Sequence, residues 1–388
     1  MINSVARRES PARLGRTYHR VRYAMVGWGS CAESTLPTFR HTRETSELVA
    51  LVCDDPTTAA EAAKRNKVSR VYSFEQYDDC LRSGSIDAVY LTLPVAMHCA
   101  HAVRAAEAGM HVLCNKPMAT SEAECRTMID ACQRNHVKLM IAYRMHFEEA
   151  NLAAIHLAKT GELGDLRFFD SSFSLPTPDE NLPGSAARPG SGALLEVGVD
   201  CLNAVRHIFR DEPTEVTAFA SRTEQWRGGE TTCCLLRFPG DRMASLTCNI
   251  GASLVAAYRV VGTRGDLRVE PASPHAKRLE HYLTIDGKTN KRLFPRRERI
   301  APELLRFSEC ILQNRPPEPS GWDGLADVRL VEALHRSAAI GQPVRLAPLV
   351  RQNSTSSVDR TQGETSTAEP TAETSLGMDE AVAPAAIS

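Results

Sequence analysis

The sequence predicts an α/β protein: a doubly wound parallel sheet in its first part, then an α+β domain with a large, mostly antiparallel open sheet. Three observations carry that prediction. Short apolar runs alternate with amphipathic segments from Val21 to about residue 144, the runs are apolar on both faces, and the alternation stops after Asn151. RYAMVG, ELVALVC, IDAVYLTL, HVLC and KLMIA are short, aliphatic and bounded by Gly, Pro or Asp, as strands covered on two faces are. Between them, AEAAKRN, HCAHAVRAAEAG and SEAECRTMIDACQRN read as helices, the last opening on Ser121 and Glu124 at capping-box spacing.

The second part has another rhythm. A helix over 148–159 precedes LRFFDSSFSL, and EVTAFAS, TCCLLRF, MASLTCNIG and AYRVVG then read as neighbouring strands with turns between them. GALLEVGVDCLNAVRHIF interrupts this set as a helix, and two more helices are expected over 303–313 and 324–340. The expected division is a disordered leader over 1–20, a first domain over 21–144, a second over 145–346, and a disordered tail over 347–388. The tail is rich in Ser, Thr, Glu, Pro and Ala, with too few apolar anchors to offset its ordering entropy.

With 43% hydrophobic and 24% charged residues the chain reads as globular, and a net charge of -1 supplies no field to draw nucleic acid or an anionic membrane. No apolar stretch approaches the ~20 residues of a membrane helix. Arg7 and Arg8 form a pair, but no apolar run follows them as an export signal requires. The twelve cysteines are scattered singly, without the paired spacing of a zinc site, which points to no metal and to buried thiols in the reducing cytoplasm. KRLFPRRERI, with Lys291, Arg292, Arg296, Arg297 and Arg299, reads as a solvated basic loop, and TEQWRGGE, with Trp226 and Arg227, as a hairpin tip.

YAMVGWGSCAEST sets Gly27, Gly29 and Ala32 in a G-x-G-x-x-A pattern between the first strand and a helix, with Trp28 and Ser30 in the same turn. The first glycine permits a tight turn, the second lets a diphosphate approach the backbone, and the small third residue lets helix and strand pack closely. The second strand ends about 20 residues later in CDDP, where Asp54 would meet the adenosine ribose. The expected cofactor is therefore NAD or NADP. Asp54 and Asp55 would repel a ribose phosphate, which favours NAD. Ligands of such sheets gather at the carboxyl ends of the strands, so Leu93, Pro94, His98, Asn115 and Lys116 are expected there. His98 admits two readings, a cofactor contact or a local hydrogen bond at the start of a helix.

These segments resemble the glucose-fructose oxidoreductase and inositol dehydrogenase family, Gfo/Idh/MocA, from about Val21 to Leu346. GWGSCA, DAVYLTLPVAMH, AGMHVLCNKPMATS, KLMIAYRMHF and SGALLEVGVDCLN carry the likeness, with ADVRLVEAL near its end, and IAYRMHF with NKPMATS look closest to the glucose-fructose oxidoreductase branch. The resemblance implies a Rossmann domain, an α/β partner whose open sheet mediates a homo-oligomer, either dimer or tetramer, and hydride exchange between nicotinamide and a sugar or polyol. It implies that Lys116 reaches the reacting oxygen, where an ammonium stabilises developing alkoxide charge. Arg144 and His146 would border the same cleft, Arg144 on the cofactor side.

Departures from the family pattern matter as much. Asn115 stands where the family carries Glu, which removes a negative neighbour of Lys116. Glu196 and Asp200 stand where the family carries an acid and a proton-transferring His or Tyr, four residues apart and so on one helical face. With Lys116 they are the expected catalytic set, although a carboxylate takes an alcohol proton poorly at neutral pH. The alternative reading is a non-catalytic dinucleotide-binding sensor or regulator on the same fold. Cys53 and Thr58 replace the Ser and Lys of the NADP-holding branch, in agreement with NAD.

Overall fold

The computed structural model describes residues 20–176, 192–222, 230–272, 278–295 and 300–349. Most of the expected leader and tail, the hairpin tip at Trp226 and Arg227, and Arg296, Arg297 and Arg299 lie outside them.

The first sheet has six parallel strands in the order β3 (Arg70–Tyr72), β2 (Ser46–Val52), β1 (Val21–Val26), β4 (Ala88–Leu91), β5 (His111–Asn115), β6 (Leu139–Ala142). β4 and β6 are buried at every position and β1 at all but Arg22, as their unbroken apolar runs require. Helices α1 (Ser30–Thr35), α2 (Pro56–Asn66), α3 (Tyr77–Arg82), α4 (Val95–Glu107) and α5 (Glu122–Arg134) make the connections. Asp55 caps α2 by accepting the N–H groups of Thr57 and Thr58 at 3.0 and 3.2 Å. At α5 the Ser121 hydroxyl accepts from Glu124 N at 3.2 Å, while the Glu124 carboxylate reaches Thr120 N at 2.9 Å, one residue beyond the usual capping-box partner. Strand order reverses between β1 and β4, which opens a crevice at their carboxyl ends.

The second sheet has nine strands in the order β14 (Lys288–Pro295), β13 (Arg278–Ile285), β12 (Gly265–Val269), β11 (Val255–Gly262), β7 (Leu166–Leu175), β10 (Arg242–Ile250), β9 (Glu230–Phe238), β8 (Glu215–Arg222), β15 (Val344–Arg345). β7 and β10 pair in parallel; every other pairing is antiparallel. One face packs Phe169, Leu246, Cys248 and Val260 against Leu202, Val205 and Phe209 of α7 (Val199–Phe209), with α6 (Glu149–Thr160) alongside. The fit is close at Gly198, where a Cβ would stand 3.2 Å from Cys248 Sγ.

Lys291 and Arg292, expected in a solvated loop, lie instead in the edge strand β14, where Lys291 pairs with Glu280 at 2.6 Å and Arg292 covers the Phe294 ring at 4.5 Å. Charge on an edge strand discourages pairing with another chain. The last two helices, which the sequence reading groups with the second sheet, return to the first. α8 (Ile300–Leu312) buries Leu304, Phe307 and Ile311 with Tyr23, Met25, Leu51 and Tyr90. α9 (Gly321–Ile340) lies against α5 and β6 as well as α7 and β8, and so ties the two sheets together.

Candidate active site

The glycine turn stands at the reversal of strand order. Gly27 has φ +103°, and a Cβ there would come within 3.0 Å of the Leu93 nitrogen, so β1 and the loop after β4 touch through this residue. Gly29 has φ +154° with nothing within 4 Å of a Cβ position. The one glycine serves close packing and the other leaves open backbone, which suits a diphosphate resting on the turn. Trp28, half-buried between them, packs against the core under α8, and the backbone of Ser30 begins α1. Asp54, after β2, is exposed and accepts from Phe74 N at 2.8 Å.

Leu93 is buried beside Gly27, and Pro94 precedes the first turn of α4. His98 is turned into the protein. It is 1% exposed, with Nε2 2.9 Å from the Leu93 carbonyl and Nδ1 3.0 Å from that of Pro117. Burial holds its ring below the ordinary histidine range, against the pull of these carbonyls. His98 thus joins the segments that follow β4 and β5.

Lys116 leaves the end of β5 just after the half-buried Asn115. Its Nζ donates to the Glu196 main-chain carbonyl at 2.7 Å and lies 3.1 Å from Asp200 Oδ2, with both charged side chains a quarter exposed. The Glu196 side chain is exposed, so this residue offers Lys116 its carbonyl. Leading from Glu196 to Asp200, the chain makes a π turn over Leu194–Gly198, in which Val199 N bonds the Leu194 carbonyl five residues back. Such turns cluster at functional sites because they shift carbonyls and side chains out of the α register.

Behind Asp200, polar groups run into the core. Asn203 on α7 donates to Asp327 Oδ2 of α9 at 2.7 Å and meets His146 Nε2 with its carbonyl oxygen at 2.6 Å. Since Asp327 only accepts, the amide orientation is set, and Nε2 of His146 carries the proton. Arg206 donates to Asp327 at 2.6 Å and forks onto Glu212 at 2.7 and 2.6 Å. Burial, with His207 edge-on at 4.1 Å, pushes His146 down to about 4, so the ring is neutral at physiological pH. Arg144 and His146 share the 3-10 turn Arg144–Phe147 that follows β6. Sequence reasoning missed Asn203 and Asp327; an amide and an acid at inward positions of otherwise apolar helices were the available signal. Among the described residues no group of three or more His, Cys, Asp or Glu is placed to hold a metal, and no helix is long and apolar enough to cross a membrane.

Residues 21–143 match the family model described as "Oxidoreductase family, NAD-binding Rossmann fold", and residues 152–268 match the "GFO/IDH/MocA C-terminal domain". The chain belongs to the GFO/IDH/MocA family. Among GFO/IDH/MocA relatives, it is 30% identical over 338 residues to a D-xylose 1-dehydrogenase [NADP(+)] of Haloarcula marismortui, spanning 84% of this chain and 93% of that protein. The crystal structure of an aldose-aldose oxidoreductase from Caulobacter crescentus, complexed with glycerol, superposes with a TM-score of 0.78 at 32% identity, covering 84% of this chain and all of that one. A levoglucosan dehydrogenase in complex with NADH shares the fold, with a TM-score of 0.75 at 18% identity over 85% of this chain and all of that one.

Proposed function

We propose that the protein is an NAD(P)-dependent oxidoreductase that moves hydride between the cofactor and a sugar or polyol carbon bearing a hydroxyl or carbonyl. One observation carries the reading: an ammonium held by the Asp200 carboxylate and the Glu196 carbonyl at the carboxyl edge of a Rossmann sheet. Relatives named for D-xylose and aldoses support a sugar substrate.

The cofactor, when bound, supplies the hydride acceptor or donor. Lys116 donates a hydrogen bond to the substrate oxygen and stabilises the charge that grows on it. Asp200, already paired with Lys116, keeps that ammonium in place and offers the departing proton a route to water. The exposed Glu196 side chain binds a substrate hydroxyl. Gly27, Trp28, Gly29, Ser30, Asp54, Leu93, Pro94, Asn115 and Arg144 surround the dinucleotide, while His98 fixes the two strand ends on which it rests. Asp54 and Asp55 favour NAD, because a ribose phosphate would meet two carboxylates after β2. The described cysteines are free thiols, most of them buried, which supports a cytoplasmic protein.

A homo-oligomer, dimer or tetramer, is supported by the outer face of the second sheet. Strand register puts Phe219, Leu235, Met243, Phe168 and Val255 on one side of five adjacent strands, and Phe219 is 75% exposed.

The test is a screen of aldoses and polyols with NAD and NADP, read by nicotinamide absorbance, beside Lys116→Met and Asp200→Tyr. Turnover by wild type that Lys116→Met abolishes supports the proposal. Tight cofactor binding with no turnover, and activity gained by Asp200→Tyr, would replace it with the sensor reading.

A further inference from the structure

Besides the Lys116–Asp200 pair, a second link joins the first sheet to α7 and has no part in the scheme above. Lys116 follows Asn115, which pairs with Ala142 of β6, and His146 lies four residues beyond Ala142 in the turn after that strand. The carboxyl ends of two neighbouring strands therefore carry Lys116 and His146. On α7 their partners are Asp200 and Asn203, three residues and so about 4.5 Å apart along the helix axis.

The two links differ in character. Lys116 Nζ lies 3.1 Å from Asp200 Oδ2, and both side chains are a quarter exposed. His146 Nε2 donates to Asn203 Oδ1 at 2.6 Å, and Asn203 is buried. The other end of the Asn203 amide donates to Asp327 of α9 at 2.7 Å. That helix is itself fastened to the first sheet, since Ile141 N of β6 donates to the Pro319 carbonyl at 3.2 Å, just before Ser320 caps α9. Both partners of Asn203 thus belong to elements anchored on the first sheet. Arg206 also reaches Asp327, at 2.6 Å, but its fork closes on Glu212 just past its own helix. Val199, Leu202 and Val205, buried on the same helix, are apolar, and such packing prescribes no direction, whereas a hydrogen bond does.

We propose that Asn203 is a positioning residue for the reaction: its bonds to His146 and Asp327 set where α7 stands over the first sheet, and so hold Asp200 and the Glu196 carbonyl at Lys116. This rests on the reading of Lys116 and Asp200 as the reacting pair. A half-open ion pair must yield when a substrate oxygen arrives at the ammonium, so it is ill suited to fixing the distance between its own two elements. The buried neutral link, one turn along α7, keeps that distance while the charged one opens. A displacement of about 1 Å at the reacting atoms is enough to cost up to ~10²-fold in rate.

The experiment is steady-state kinetics of the full chain with the aldose or polyol that wild type turns over, beside calorimetric titration with NADH. Asn203→Leu should lower kcat about tenfold to a hundredfold, with KM and the NADH dissociation constant within about threefold of wild type. His146→Phe removes the donor and should lower kcat about tenfold, and His146→Gln, whose amide restores one, should recover most of that loss. This second pair tests the link if Asn203→Leu fails to fold. Because Asn203 acts through Asp200, Asn203→Leu combined with Asp200→Asn should lower kcat no further than the worse of the two single changes. Losses that multiply, kcat unchanged in Asn203→Leu, or equal losses in His146→Phe and His146→Gln would each overturn this inference alone, provided wild type turns over and Lys116→Met does not. No turnover by wild type with any sugar or polyol would remove the proposed function and this inference together.

Discussion

At Lys116 the local sequence and the local chemistry agree. A lysine that ends a buried strand has few ways to reach water, and here it turns to one carbonyl and one carboxylate. On the proposed role of Lys116, replacing it with Met should lower kcat about 10³-fold and leave the NADH dissociation constant within roughly threefold of wild type, as measured by turnover and calorimetry. The two glycines make a contrasting pair. Gly27→Ala puts a Cβ against the Leu93 backbone at positive φ and should destabilise the fold by about 2 kcal/mol in urea titration. Gly29→Ala meets no protein atom but is strained at φ +154°, so it should cost stability through the backbone alone and lower cofactor affinity as well, read by urea titration and calorimetry. The places of Lys116 and these glycines at the strand ends were legible because each sits in a short motif. The contact of Glu303 with the Tyr90 hydroxyl was not, since the two are 213 positions apart and only folding brings an acid from α8 under β4.

Among elements, the first sheet follows its apolar runs almost strand for strand, because two-sided burial leaves an unmistakable pattern. The short β3 and the six-residue α3 carry too few residues for any period to register. The π turn before α7 was hidden for another reason. GALLEVGVDCLNAVRHIF keeps a helical pattern throughout, and a bond five residues back instead of four leaves no trace in it. The spacing of Glu196 and Asp200 was therefore readable while the π turn between them was not. α7 is held by Asn203, which serves His146 and Asp327 at once. Asn203→Leu leaves both without that partner and should cost about 2 kcal/mol or more in denaturant unfolding. Asn203→Asp, placing a second acid beside Asp327, should be at least as damaging at pH 8 and less so at pH 5.

For the whole molecule, acid is the condition that most separates the buried groups. His111, His146 and His281 are each pushed down to about 4, mainly by burial. Between about pH 6.5 and 4 the unfolded chain binds protons that these rings refuse, so stability falls as pH falls, by up to ~3 kcal/mol for each ring. Glu303 works the other way between about 4.5 and 6, because its raised value makes the folded state the better proton acceptor there. Three groups outweigh one, and the melting temperature should drop from pH 7 to pH 5, less steeply in His281→Phe. Assembly is checked by light scattering: Phe219→Asp with Leu235→Asp should yield monomers if the exposed sheet face joins subunits. That mutant also has a use beyond counting chains. The strands that would be covered by a neighbour are the ones whose reverse side supports Gly198 and, through it, the turn that offers Lys116 its oxygen. A second subunit would therefore act as a splint one strand's thickness from the chemistry, and a chain stripped of it should turn over more slowly even though no catalytic atom has been touched.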